Sequence, residues 1–149
     1  MTLFKKILIA TDGSENNQTA VEEGIKIAHT CGSSVYVVYV IDMRAFESVP
    51  ADVGMRDTYL LLQNEANQVL DRVRTLGGDL KIETKILEGR PATEIVDFAE
   101  DNGIDLIVIG TQGKTGIKRL LLGSVAETVI RSATSMVLVV KNNIISTAE

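Results

Sequence analysis

Lys81-Ile82-Glu83-Thr84-Lys85-Ile86-Leu87 reads as a strand that alternates. Lys81, Glu83 and Lys85 fall on one face and Ile82, Thr84 and Ile86 on the other, the two-residue period of a pleated chain. The other early apolar runs do not alternate. Residues 6–11, 34–41 and 105–109 are nearly continuous in apolar side chains, as expected of strands buried on both faces. A strand carrying charge belongs at a sheet edge, where the charges discourage further pairing. The alternating strand is therefore placed outside and the three runs inside.

Between the strands lie stretches of helical period. Residues 14–30 put Val21, Ile25 and Ala28 on one face, and Gly32 closes that helix. Residues from about 56 to 76 set Leu62, Ala66, Val69, Val73 and Leu76 at helical spacing and end at Gly77-Gly78. Gly89-Arg90-Pro91 opens a third helix, with Pro91 suited to its first turn, and Gly103 caps it after Asn102. Residues 124–133 form a short last helix and 135–141 a fifth strand. Residues 42–54, which include Pro50, read as an irregular loop, and the polar tail 142–149 as loose.

Strands alternating with helices give an α/β fold with an open parallel five-stranded sheet, right-handed crossovers and helices on both faces. A strand order of 3-2-1-4-5 puts the alternating third strand at an edge. That order leaves Met136-Val137-Leu138-Val139-Val140 on the opposite edge, apolar throughout. Such an edge invites pairing with a second copy of the chain in a two-fold dimer. Coverage by the chain's own helices and tail is the alternative.

Composition sets outer limits. The length of 149 residues predicts one domain over 1–149. Apolar residues at 45% and charged residues at 23% exclude disorder and a collagen-like repeat. A net charge of −5 gives no global attraction to nucleic acid or an anionic membrane, and aromatics at 4% argue against a base-stacking surface. One Cys forms no internal disulfide and one His builds no ordinary zinc site, so a reducing cytoplasm is expected. The apolar run after Lys5-Lys6 stops at Thr11, too short for a signal core or a span.

In open α/β sheets ligands bind beyond the strand carboxyl ends, where the order reverses. Here that crevice lies between strands one and four. Thr11-Asp12-Gly13-Ser14 and residues 110–124 border it, and both are rich in glycine and hydroxyls. Glycines let a backbone approach a ligand closely, and a helix opening at Gly123-Ser124 offers free N–H groups to an anion. Lys114, Lys118 and Arg119 add positive charge. Together these describe a polyphosphate site. Plainer roles stand beside each part. Ser124-Val125-Ala126-Glu127 fits a capping box, the basic residues fit a solvated face, and Asp12 fits an Asx turn. Two familiar phosphate motifs are excluded. The first glycine of a P-loop ending at Gly113-Lys114-Thr115 would fall at Val108, and no Gly-x-Gly-x-x-Gly follows the first strand.

The spacing Gly110-x2-Gly113-x9-Gly123-Ser124 resembles the ATP-binding signature of the universal stress protein family. Ile7-Leu8-Ile9-Ala10-Thr11-Asp12-Gly13-Ser14 resembles its first strand and turn, Gly89-Arg90-Pro91 its third-strand exit, and residues 137–140 its dimerising last strand. The resemblance covers residues 5–141. It implies a Rossmann-like or flavodoxin-like fold, a homodimer through 136–140, and binding of ATP or another adenine nucleotide (AMP or ADP). The implied nucleotide site is Ala10, Thr11, Asp12, Val40, Gly110, Thr111, Gly113, Lys114, Gly123, Ser124 and Val125. Asp12 would meet the ribose, and the Val40 backbone the adenine edge. Gln112 departs from the family, where a basic residue or His is frequent, and Lys114 is the nearby substitute.

Hydrolysis needs a positioned base or a metal that activates water. His29, near the end of the first helix, has no partner at motif spacing and reads as structural. Cys31 reads as a small buried apolar residue. Asp12 and Asp42 are two acids that could hold phosphate-bridged Mg²⁺, short of a defined site. The residues favour a nucleotide-binding regulatory protein over a dedicated catalyst, and the resemblance implies a role in the stress response with at most slow ATP turnover. The competing class is an enzyme of the wider adenine-nucleotide α-hydrolase-like superfamily, whose Ser-Gly-Gly-x-Asp-Ser loop is replaced here by Thr11-Asp12-Gly13-Ser14.

Overall fold

In the computed structural model, which describes residues 3–47, 50, 54–112 and 122–142, five parallel strands run in the order β3-β2-β1-β4-β5. The strands are β1 Lys6–Ala10, β2 Ser34–Asp42, β3 Ile82–Gly89, β4 Leu106–Gly110 and β5 Met136–Val140. The helices are α1 Glu15–Cys31, α2 Met55–Gly77, α3 Pro91–Asp101 and α4 Ser124–Ser132, with a 3-10 turn at Met43–Phe46. The tail beyond Asn142 lies outside the described residues, as does most of the stretch after Glu47.

The register places Leu8 between Tyr36 on β2 and Ile107 on β4. Alternation along β1 then supplies both halves of the core. Ile7 and Ile9 pack with Ala20, Val21, Ile25 and Ala28 of α1 and with Ala66, Val69, Leu70 and Val73 of α2. Leu8 and Ala10 pack with Ile95, Val96 and Ala99 of α3 and with Ala126 and Val129 of α4. So α1 and α2 cover one face and α3 and α4 the other. No helix among the described residues is long and apolar enough to cross a membrane.

The edge assignments hold. On β3 the residues Glu83 and Lys85 are exposed while their neighbours are half-buried. On β5 only Met136 is exposed, and Val137 to Val140 are half-buried beside β4. Three expectations need correction. Leu76 is 47% exposed, because the inner stripe of α2 is completed by Leu70 and Gly77 rather than by its last leucine. Cys31 is half-buried, since α1 ends there in the left-handed Gly32 and the side chain sits at the helix end. β2 continues to Asp42 and is followed directly by the 3-10 turn, so the loop after it is shorter than its sequence suggests.

α1 lies close on the sheet because Gly24 has no side chain. A Cβ there would stand 2.8 and 2.9 Å from Cδ1 and Cγ1 of the fully buried Ile9. Gly24→Ala is therefore expected to lower the unfolding free energy by about 1–2 kcal/mol, overpacking outweighing the roughly 1 kcal/mol helix-propensity gain. A lower urea midpoint with an unchanged slope is the result to look for.

Candidate functional site

A cavity of about 750 Å³ opens at the carboxyl ends of the central strands, at the point where the order reverses. The end of β1 forms its middle. Ala10, Thr11 and Asp12 line it, with Val38 to Asp42 of β2 on one side and Ile109 to Gln112 on the other. The start of α4, from Leu122 to Ala126, completes the β4 side. The β2 side is largely apolar, with Val40, Ala45, Leu62, Pro91 and Ile95 in the wall.

The β1 turn is held by its own side chains. Thr11 is buried; its N–H donates to the Val38 carbonyl at 3.0 Å, and its Oγ1 accepts from the Gly13 N–H at 3.1 Å. Asp12 Oδ1 accepts from the Ser14 N–H at 2.9 Å, the Asx turn expected of it. Asp12 thus shapes the entry to α1 while also lining the cavity.

Across the crevice, β4 ends in Gly110, where a Cβ would lie 3.0 Å from Asn17 Nδ2. The Gly123 N–H donates to the Thr111 carbonyl at 2.6 Å and so pins together the two ends of the intervening stretch. A Cβ on Gly123 would lie 2.9 Å from that same carbonyl oxygen. α4 begins immediately after, with Gly123 as its N-cap. The first N–H groups of a helix have no partner within it and carry its positive dipole end. Here those of Ser124, Val125 and Ala126 belong to residues that line the cavity.

The capping box is not formed. The helix starts one residue earlier than that motif requires, with Gly123 as cap and Ser124 already inside the first turn. Glu127 instead meets Arg131 one turn on at 2.8 Å, which offsets its charge near the helix start.

At the β2 end, Asp42 is gripped by Arg44, with Nη2 2.6 Å from Oδ2 and Nε 2.9 Å from Oδ1. The Arg44 hydrogen bond holds the Asp42 carboxyl below the usual carboxylate range, against partial burial, with Arg90 adding a weaker pull. Asp42 is therefore a paired anion rather than an open metal ligand. Among the described residues no group of three or more His, Cys, Asp or Glu side chains is placed to hold a metal. His29 is exposed in the last turn of α1, at the opposite end of that helix from the cavity.

Residues 3–141 match the model of the universal stress protein family. The chain belongs to that family. It is 47% identical to universal stress protein MJ0531 of Methanocaldococcus jannaschii over 141 residues, 93% of this chain and 83% of the relative. The solved structure of the protein MJ0577 superposes with a TM-score of 0.83 at 35% identity, covering 94% of this chain and 97% of that one. Another universal stress protein, solved in complex with cAMP, matches with a TM-score of 0.65 at 27% identity, covering 93% of this chain and 98% of that one. The five-stranded order seen here is thus the family's Rossmann-like architecture.

For this family member, Ala10, Thr11, Asp12, Val40, Gly110, Thr111, Gly123, Ser124 and Val125 all border the one cavity. Gly113 and Lys114, with Lys118 and Arg119, lie outside the described residues. Sequence reasoning missed Arg44, Leu62, Ile95 and Asn17, which also line it. Arg44 and Leu62 follow strand β2 at distances that no motif marks. Asn17 did leave a signal: it is a polar residue on the inner stripe of α1, in step with Val21, Gly24 and Ala28.

Proposed function

We propose that this protein binds an adenine nucleotide, ATP by preference, and acts as a homodimeric regulatory protein of the stress response in the cytoplasm, with at most slow ATP hydrolysis. The observation that carries the reading is the glycine-pinned mouth of the cavity. Gly123 leaves no room for a side chain against the Thr111 carbonyl, Gly110 packs tightly on Asn17 where β4 ends, and the N–H groups of the first turn of α4 stand beside them. That is the chemistry of an anion site built from backbone. The phosphates would lie there, over Gly123, Ser124 and Val125, with Thr111 beside them. Gly113 and Lys114 would add to the same cradle.

The adenine would enter the apolar β2 side and meet the backbone of Val40. Asp12, beside Ala10 and Thr11, would accept from a ribose hydroxyl. The cAMP complex of the family member at 27% identity supports an adenine nucleotide in this fold. Mg²⁺ would be held chiefly by the phosphates, because Asp12 already accepts from Ser14 and Asp42 from Arg44. The same two engagements leave neither carboxylate poised as a base, which favours holding the nucleotide over turning it over.

ATP at a hundredfold excess over its Kd should stabilise the native state by about 2.7 kcal/mol, raising the thermal midpoint by several degrees. GTP should not, because the Val40 backbone is proposed to meet the adenine edge, which guanine does not present. Equal protection by both, or by neither, refutes adenine-specific binding. Steady phosphate release at many turnovers per minute would move the protein to the competing enzyme class.

A further inference from the structure

The 3-10 turn after β2 carries a guanidinium that packing does not explain. Arg44 is the single cation among the described residues that line the cavity. Asp42 holds it at three points. Its Oδ1 accepts from the Arg44 backbone N–H at 3.0 Å and from Nε at 2.9 Å, and its Oδ2 accepts from Nη2 at 2.6 Å. The side chains of Arg44 and Asp42 are 54% and 33% exposed, so their pairing adds little to stability. What the grip does is fix a flat cation in one place on the cavity wall.

The register shows which wall. Side chains alternate along β2, so Asp42 shares a face with Val38 and Val40. Those two pack with the α3 and α4 half of the core. The β3 partner of Asp42 is Gly89, after which Arg90 and Pro91 lead into α3. The Asp42 carboxylate and the guanidinium on it therefore stand beyond Val40, on the side where Pro91 and Ile95 form the wall. That is the side the adenine is proposed to enter, and its wall is otherwise aliphatic. Tyr39, the aromatic residue among the described lining residues, packs in the opposite half of the core, with its hydroxyl donating to Glu65. A purine entering there meets no ring. It meets a guanidinium, which is planar, weakly hydrated and suited to lie on a π-face.

We infer that Arg44 is a base-binding residue of this cavity, its guanidinium held by Asp42 against the face of the adenine ring. The inference rests on the nucleotide reading above and extends it to a residue outside the glycine motif. Asp42 makes no contact of its own with the base; it is the positioning residue for Arg44.

The test is calorimetric titration of the parent, Arg44→Lys and Arg44→Leu with AMP, ADP and ATP, beside ligand-free thermal midpoints. Lysine keeps the charge but neither the plane nor the fork that Asp42 holds. Both variants should lose affinity about threefold to tenfold, by the same factor for all three nucleotides, because the base is common to them. The midpoints should barely move. Asp42→Asn should give a smaller loss of the same kind, and adding it to Arg44→Leu should cost nothing further, since it acts only through the guanidinium. Full affinity in Arg44→Lys, or a loss that grows with the number of phosphates, overturns the inference and leaves the nucleotide reading standing. A parent that binds no adenine nucleotide overturns both.

Discussion

Gly123→Val is expected to weaken ATP binding by more than about a hundredfold, which is roughly 2.7 kcal/mol. The backbone at this position is ordinary, with φ −67° and ψ 162°, so valine adopts it without torsional strain. The difficulty is space. A Cβ would stand 2.9 Å from the Thr111 carbonyl oxygen and 3.5 Å from Gln112 Cα, both backbone atoms that cannot swing aside as a side chain can. The branched methyls of valine worsen the clash. Relief requires lengthening the 2.6 Å hydrogen bond from Gly123 N–H to Thr111, which moves the α4 N-terminus away from the crevice.

The fold should survive that shift. α4 is anchored further along by Ala126 and by the fully buried Val129, both packed into the core beneath the helix. The ligand-free thermal midpoint should therefore fall only modestly while nucleotide protection disappears. Gly32→Ala is the control. Gly32 is in the left-handed region at φ +66°, but a Cβ there meets nothing within 4 Å. It should cost about 1–2 kcal/mol of stability and leave ATP affinity alone. Undiminished ATP binding by Gly123→Val would mean the β4–α4 mouth is not where the phosphates lie.

Why this site was readable in the sequence, and in which parts, follows from what each residue does. Backbone-built features leave strong marks. Gly123 is a glycine because a backbone carbonyl occupies the space of its side chain, and Pro91 opens α3 because its missing N–H is not needed there. Strand chemistry was as plain. The charges on β3 and the unbroken apolar run of β4 placed both strands correctly in the sheet. Features set by tertiary approach left weaker marks. Nothing around Leu62 or Ile95 shows that two different helices converge on one cavity wall. The Asp42–Arg44 pair depends on a 3-10 turn whose geometry no local pattern announces. The capping box failed for a related reason. Its residues were present, but the pinned neck moved the cap to Gly123, and Glu127 found Arg131 instead.

The apolar edge gives the other large effect. Val139→Lys is expected to convert a dimer into a monomer, raising the dissociation constant at least about a hundredfold, or roughly 2.7 kcal/mol. β5 pairs with β4 on one side, and its five residues are apolar although it ends the sheet. Met136, its first residue, is 65% exposed. A second copy presenting the same edge would extend the sheet in an isologous two-fold contact. Lysine on an edge strand opposes such pairing by charge repulsion between copies and by desolvation. Val139 is half-buried against the α3 and α4 side of the core, so the lysine stem has apolar surface to lie on while its ammonium reaches water. Light scattering at micromolar concentration should give two chains for the parent and one for the variant, and a parent of one-chain mass would refute the edge as an interface. Val139 is not among the residues that line the cavity, so the monomeric variant should keep its ATP affinity. Joint loss of assembly and binding would instead place part of the nucleotide site across the two-fold.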